Sequence, residues 1–174
     1  MFKIIILTLA LIVVIVLGVA ATRPDSFRVQ RSLSIKAPPE KIAGQIENFH
    51  AWSGWSPYEK LDPAMQRSYG GADSGKGAVY GWQGNGKVGQ GRMEILEASP
   101  QKVTIQLDFI KPFAARNTAE FILQPQGDST EVTWAMYGPA PYFHKLMGLF
   151  LNMDQMIGKD FEAGLQNLKA VAEK

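Results

Sequence analysis

One stretch near the N-terminus constrains everything else: from Ile4 to Ala21 the sequence carries no charge, and only Thr8 brings a polar side chain. At 1.5 Å per residue these eighteen positions make a helix of about 27 Å, close to the hydrocarbon thickness of a bilayer. A soluble domain has no use for so long an apolar run at one edge. The run therefore predicts a membrane-spanning anchor over residues 1–22. A cleaved secretory signal is the alternative, because Lys3 resembles an n-region and Val19-Ala20-Ala21 offers small residues for cleavage. The length favours the anchor, since signal h-regions run to about 7–15 residues. Counting Lys3 against Arg23, Arg28 and Arg31 favours a cytoplasmic domain. The short tail before the run has the arrangement of a signal anchor that exports the chain beyond it. The resulting expectation is a single-pass membrane protein with an extracytoplasmic domain.

Removing the anchor leaves a four-residue linker, 23–26, and a domain over 27–174, enough for one core and not for two. Of 18 Lys and Arg and 16 Asp and Glu, only Lys3 precedes Arg23, so the domain is nearly neutral. Such a balance gives no electrostatic footprint for nucleic acid. Cysteine is absent, which excludes disulfides and thiolate metal sites. No residue pattern sets an oligomeric state.

The domain opens on strand alternation. Phe27, Val29, Arg31, Leu33 and Ile35 alternate with Arg28, Gln30, Ser32 and Ser34. Pro39 suits the first turn of a helix whose stripe is Ile42, Ala43, Ile46 and Phe49. A short turn with Trp52 and Trp55 ends at Pro57. Six more strands are predicted: Met65–Tyr69, Ala78–Gln83, Lys87–Ala98, Lys102–Phe109, Ala114–Gln124 and Ser129–Tyr137. Glycine- and proline-rich breaks separate them, with Gly84-Asn85-Gly86 reading as a tight hairpin. From Pro141 the period changes. Phe143, Met147, Phe150, Ile157, Phe161, Leu165 and Leu168 recur at three and four, with one wider step across Asp154, and predict one long amphipathic helix. The fold class is α+β: a curved, seven-stranded antiparallel sheet wrapped around a long C-terminal helix, with two short helices after the first strand.

Alternation also says which side chains face that helix. Val103, Ile105, Leu107 and Phe109 oppose Thr104, Gln106 and Asp108. By the same reading Met93, Phe121, Trp134 and Met136 point inward, and Tyr80 and Trp82 share a face. The expected ligand cavity is lined by Trp52, Trp55, Tyr80, Trp82, Met93, Phe109, Phe121, Trp134, Met136, Met147, Phe150 and Phe161. A lining so aromatic and methionine-rich suits an apolar small molecule. The competing reading is that these side chains fill the interior and leave no cavity.

Catalytic signals are sparse. His50 and His144 are far apart, and no metal-ligand spacing occurs, so no metal site is expected. Ser53 and Ser56 lack a nucleophile-elbow setting. Gly84-x-Gly86-x-x-Gly89 lies between strands, which makes it a hairpin and not a dinucleotide turn; no cofactor is implied. Asp154 shares a helical face with Phe150, Ile157 and Phe161 and is the one candidate acid or base. A salt bridge to Arg116 or Lys145 would explain it structurally.

Five segments resemble a known family: Ala37-Pro38-Pro39-Glu40-Lys41, Trp52-x-x-Trp55-Ser56-Pro57, Gly77-Ala78-Val79-Tyr80-x-Trp82, Glu131-Val132-Thr133-Trp134, and Lys145-Leu146-Met147-Gly148-Leu149-Phe150. Together they resemble the START-related helix-grip superfamily, in particular its polyketide cyclase/dehydrase-like branch, over Phe27–Lys174. The resemblance implies a cavity between sheet and helix. It implies either a carrier of lipids, quinones or polyketide-like molecules, or a metal-free cyclase or dehydratase. A third reading is an interaction domain with a filled core.

Overall fold

A computed structural model describes residues 2–174. Helix α1 (Phe2–Ala21) is apolar on every side and solvent-exposed along almost its whole length, with only Ala20 buried. It is long and apolar enough to cross a membrane. After four intervening residues β1 (Ser26–Ile35) begins, one residue before the sequence alternation places it.

The remaining strands are β2 (Gln66–Gly71), β3 (Ala78–Gln83), β4 (Gln90–Ser99), β5 (Lys102–Lys111), β6 (Ala115–Gln126) and β7 (Ser129–Pro139). They form one seven-stranded sheet in the order β1-β7-β6-β5-β4-β3-β2, antiparallel throughout. Alternation works as physics demands in β5: Val103, Ile105 and Leu107 are buried while their neighbours are partly exposed. In β4 a bulge between Ile95 and Glu97 shifts the register and turns Leu96 out to solvent. Such a bulge bends its strand and helps curve the sheet.

After β1, helix α2 (Pro39–Ile46) starts with Pro39 in its first turn and buries Ile42, Ala43 and Ile46. Two 3₁₀ turns follow, Phe49–Gly54 and Pro57–Lys60. The indoles of Trp52 and Trp55 fasten the first turn to the C-terminal end of α2. Trp52 Nε1 donates to the Ile46 carbonyl (2.8 Å) and Trp55 Nε1 to that of Gln45 (3.1 Å).

The C-terminal region departs from the single helix expected beyond Pro141. It forms α3 (Tyr142–Met147) and α4 (Met153–Ala172), separated by Gly148–Asn152. Asn152 supplies the reason, because its side chain accepts from the Gln155 N–H (3.0 Å) and caps a new helix. The wider step in the apolar spacing at Asp154 marks this restart. Helix α4 buries Phe161, Leu165 and Leu168 against the sheet. It runs in the same direction as β1: Lys169 Nζ donates to the Ser34 carbonyl (3.0 Å), and Glu173 accepts from the Lys36 N–H (2.7 Å).

The hairpin at Gly84 is longer than the tight turn expected. Residues 87–89 belong to the loop, Gly84 N–H donates to Gly89 O (2.9 Å), and Gly89 takes φ of +65°, where glycine is favoured. A strand lies on each side of this loop, so the glycines serve a β-hairpin.

Candidate functional site

Between the sheet's inner face and α4 lies a cavity of about 320 Å³. From the sheet Tyr80, Trp82, Met93, Phe109, Trp134 and Met136 line it. Trp52 joins them from the first 3₁₀ turn and Phe161 from α4. Trp134 lies flat against Phe161, with ring centroids 4.2 Å apart and planes 9° from parallel. Trp82 meets Phe109 edge-on at 5.9 Å. These rings stiffen the wall, since each aromatic holds its neighbour's orientation.

Four of the expected lining residues lie elsewhere. Trp55 and Phe121 are fully buried behind the wall, where Phe121 stacks on Trp134 (5.0 Å) and Trp55 meets it edge-on (5.7 Å). They buttress the cavity without touching its space. Met147 belongs to α3, and Phe150 sits in the break before α4 with 69% of its surface exposed. Phe150 borders a separate, more open depression of about 510 Å³, between the linker, the start of β1 and α3.

Asp154 also lies outside the cavity. Its carboxylate receives two hydrogen bonds from the Arg31 guanidinium (3.1 and 3.0 Å), while Arg31 Nε donates to Glu162 (2.7 Å). The Arg31 hydrogen bond holds the Asp154 carboxyl below the usual aspartate range, the opposite of a proton-shuttling acid. The salt bridge that explains this residue is therefore with Arg31, an inward position of β1. Arg116 and Lys145 are paired with Asp108 and Asp25. Gly158 sits between the two acidic partners on one helix face, and a side chain there would collide with the Arg31 guanidinium.

The cavity's polar groups come from residues that periodicity does not single out. The Glu59 carboxylate, 6% exposed, accepts from Tyr80 Oη (2.5 Å) and Arg67 Nε (2.6 Å). Burial, followed by that hydrogen bond, pushes the Tyr80 phenol well above the usual tyrosine range. Burial does the same to Tyr58. Asp160 stands at the rim, where partial desolvation raises its carboxyl pKa. Glu59 and Asp160 lie in charged stretches that resemble solvated turn and helix surface, so only packing identifies them. Among the described residues, one buried side-chain polar atom has no partner: the Nε1 of Trp134.

His50 stacks on Tyr69 (3.9 Å) and His144 meets Phe27 edge-on (5.0 Å), each in its own aromatic contact. Among the described residues no three His, Asp or Glu side chains gather closely enough to hold a metal ion.

A curved antiparallel sheet closed by a C-terminal helix over an aromatic cavity is the helix-grip arrangement. The family model for "Polyketide cyclase / dehydrase and lipid transport" matches residues 26–173. The chain belongs to this family. No protein with a curated description matches it in sequence. Among solved structures it is similar to protein CV1439 from Chromobacterium violaceum, at 15% identity and a TM-score of 0.58. That alignment covers 87% of this chain and 99% of the other. The Aha1 dimer from Colwellia psychrerythraea aligns at 18% identity and a TM-score of 0.56, over 84% of this chain and 96% of that one. TTHA0849 from Thermus thermophilus gives 18%, 0.57, 83% and 95%. At these identities the likeness is one of fold. Membership in the polyketide cyclase/dehydrase and lipid transport family carries the capacity to enclose an apolar ligand, and leaves the choice among its activities to the site.

Proposed function

We propose that this protein is a membrane-tethered carrier or sensor that holds a compact apolar molecule between its sheet and α4. The observation that carries the proposal is a cavity lined chiefly by aromatic and methionine side chains between the sheet and α4. Such a lining suits a quinone, a fatty acid or a polyketide-like molecule. The volume lies at the low end of ligand pockets, roughly 300–1,000 Å³, and suits one ring system or one acyl chain. Helix α1 would keep such a cavity beside a reservoir of membrane-dissolved ligand, with the domain on the extracytoplasmic side.

A cyclase or dehydratase needs a group free to move a proton. Asp154, the candidate from the sequence, is tied to Arg31 and the cavity's Tyr80 to Glu59, which leaves only Asp160 at the exposed rim. The carrier reading is the better supported.

Full-length protein in mild detergent should release a bound small molecule on solvent extraction, identified by mass spectrometry. Its tryptophan emission should respond saturably to a quinone or a fatty acid. Trp134→Phe should blunt that emission response, because Trp134 lies in the cavity wall. Flat titrations across both classes, with nothing extracted, would overturn the reading.

A further inference from the structure

We propose that one end of the sheet rests on the bilayer that α1 crosses, so that the cavity opens towards the membrane interface. The proposal builds on the tethered-carrier reading and names where the ligand enters.

The register gathers several features at this end. Ser26 pairs with Pro139, Phe109 with Ala115, and Gln83 with Gln90. The start of β1, the end of β7, the β5–β6 connection and the β3–β4 loop therefore share one edge. Helix α1 enters β1 there, and α3 leaves β7 there. The two helices touch: Tyr142 Oη donates to the Leu17 carbonyl (2.8 Å), and Ala20 is fully enclosed. Leu17 lies four residues before the end of α1, about 6 Å along its axis. If α1 spans the bilayer up to Ala21, α3 sits at the depth of the headgroup–acyl boundary.

The side chains at that depth match. Phe113, in the β5–β6 connection, is 69% exposed and Phe143 of α3 is 57% exposed, with their rings 5.9 Å apart. Ile110 and Tyr142 extend the exposed apolar surface. Tyr142 is of the type that concentrates at membrane–water interfaces, and exposed phenylalanines are what an interfacial surface buries at the headgroup–acyl boundary. Arg23 and Lys111, both exposed on the same edge, suit lipid phosphates. The cavity reaches this edge as well, since Val88 of the β3–β4 loop, Phe109 at the end of β5 and Ile157 near the start of α4 line it. A ligand leaving the acyl region would pass from lipid to cavity without crossing bulk water.

The chain has no cysteine, so single probes can be placed cleanly. Phe113→Cys, Phe143→Cys, Val13→Cys and Asp128→Cys would each carry an NBD label, in full-length protein in phosphatidylcholine–phosphatidylglycerol vesicles. Asp128 sits in the β6–β7 hairpin at the opposite end of the sheet, and all four side chains are exposed, so labelling disturbs no core. Labels at 113 and 143 should be quenched at least several-fold more than the label at 128 by lipid with a shallow doxyl group. The label at 13 should be quenched by deep doxyl lipid. Quenching at 13 without quenching at 113 and 143 overturns the bilayer seat and leaves the tether standing. A blue shift at 113 and 143 without lipid quenching assigns this face to a protein contact and overturns the seat equally. No quenching at 13 removes the tether, and the seat falls with it.

Discussion

Replacing Gly164 by alanine tests how closely α4 grips the sheet. A Cβ at Gly164 would stand 2.6 Å from Trp134 Cζ3 and 3.1 Å from Pro57 Cδ. Carbon atoms in contact prefer about 3.5–4.0 Å, so roughly 1 Å of overlap must be relieved. Neither neighbour yields easily, because proline is a rigid ring and Trp134 is clamped between Phe161 and Phe121. Overpacking of a rigid core costs about 1–3 kcal/mol, whereas alanine gains about 1 kcal/mol over glycine in helix propensity. The net expectation is a loss of up to about 2 kcal/mol. For a domain of this size that is a fall in Tm of up to about 8 °C. Gly44 in α2 is the control, because nothing lies within 4 Å of its Cβ position. Gly44→Ala should stabilise by up to about 1 kcal/mol. Thermal melts of full-length protein in mild detergent, followed by near-ultraviolet circular dichroism, isolate the domain, since all four tryptophans lie within it. If Gly164→Ala melts above the parent by as much as Gly44→Ala does, α4 does not approach Trp134 this closely, and the cavity wall is misplaced.

Two further outcomes are expected from the same structure. Deleting residues 1–22 should leave a domain that unfolds cooperatively, because the core cluster draws nothing from α1; a gradual melt without a transition would show that α1 is part of the fold. Asp154, whose pKa Arg31 lowers in the folded state, contributes stability above the unfolded aspartate value of about 3.9 and loses it as pH falls through the lowered value. Arg31→Met should therefore flatten the acid side of a Tm–pH profile below about pH 4, and an unchanged acid slope would remove that ion pair from the account.

Much of this architecture is legible because strand alternation and helical spacing respond to one question, which side faces water. Val103, Ile105 and Leu107 give the inner face of β5 directly, and Pro39 marks the start of α2. Division of that inner face into wall and solid core is a different matter. Phe121 carries the same strand alternation as Trp82 and Phe109, yet Phe121 is fully buried and the other two border space. The difference arises from what covers each half of the sheet: α2 and the 3₁₀ turns fill one side completely. Glu59 was hidden for a related reason. A carboxylate in a Pro-Tyr-Glu-Lys turn looks solvated until Arg67 and Tyr80 arrive from other strands.

Phe143, Met147 and Phe150 show why an apolar stripe alone is ambiguous. Their spacing joins them to Phe161 and Leu165 in one pattern, interrupted only by the wider step across Asp154. The capping side chain of Asn152 separates them, by ending one helix and starting another. Past that point Phe161 and Leu165 are buried by protein, while Phe143 and Phe150 remain exposed. Periodicity reports only that a face avoids water. Here the residues after the cap avoid it against the sheet. Phe143 lies on a helix whose Tyr142 is hydrogen-bonded to α1, and Phe150 in the break after it, where a bilayer would serve the same purpose.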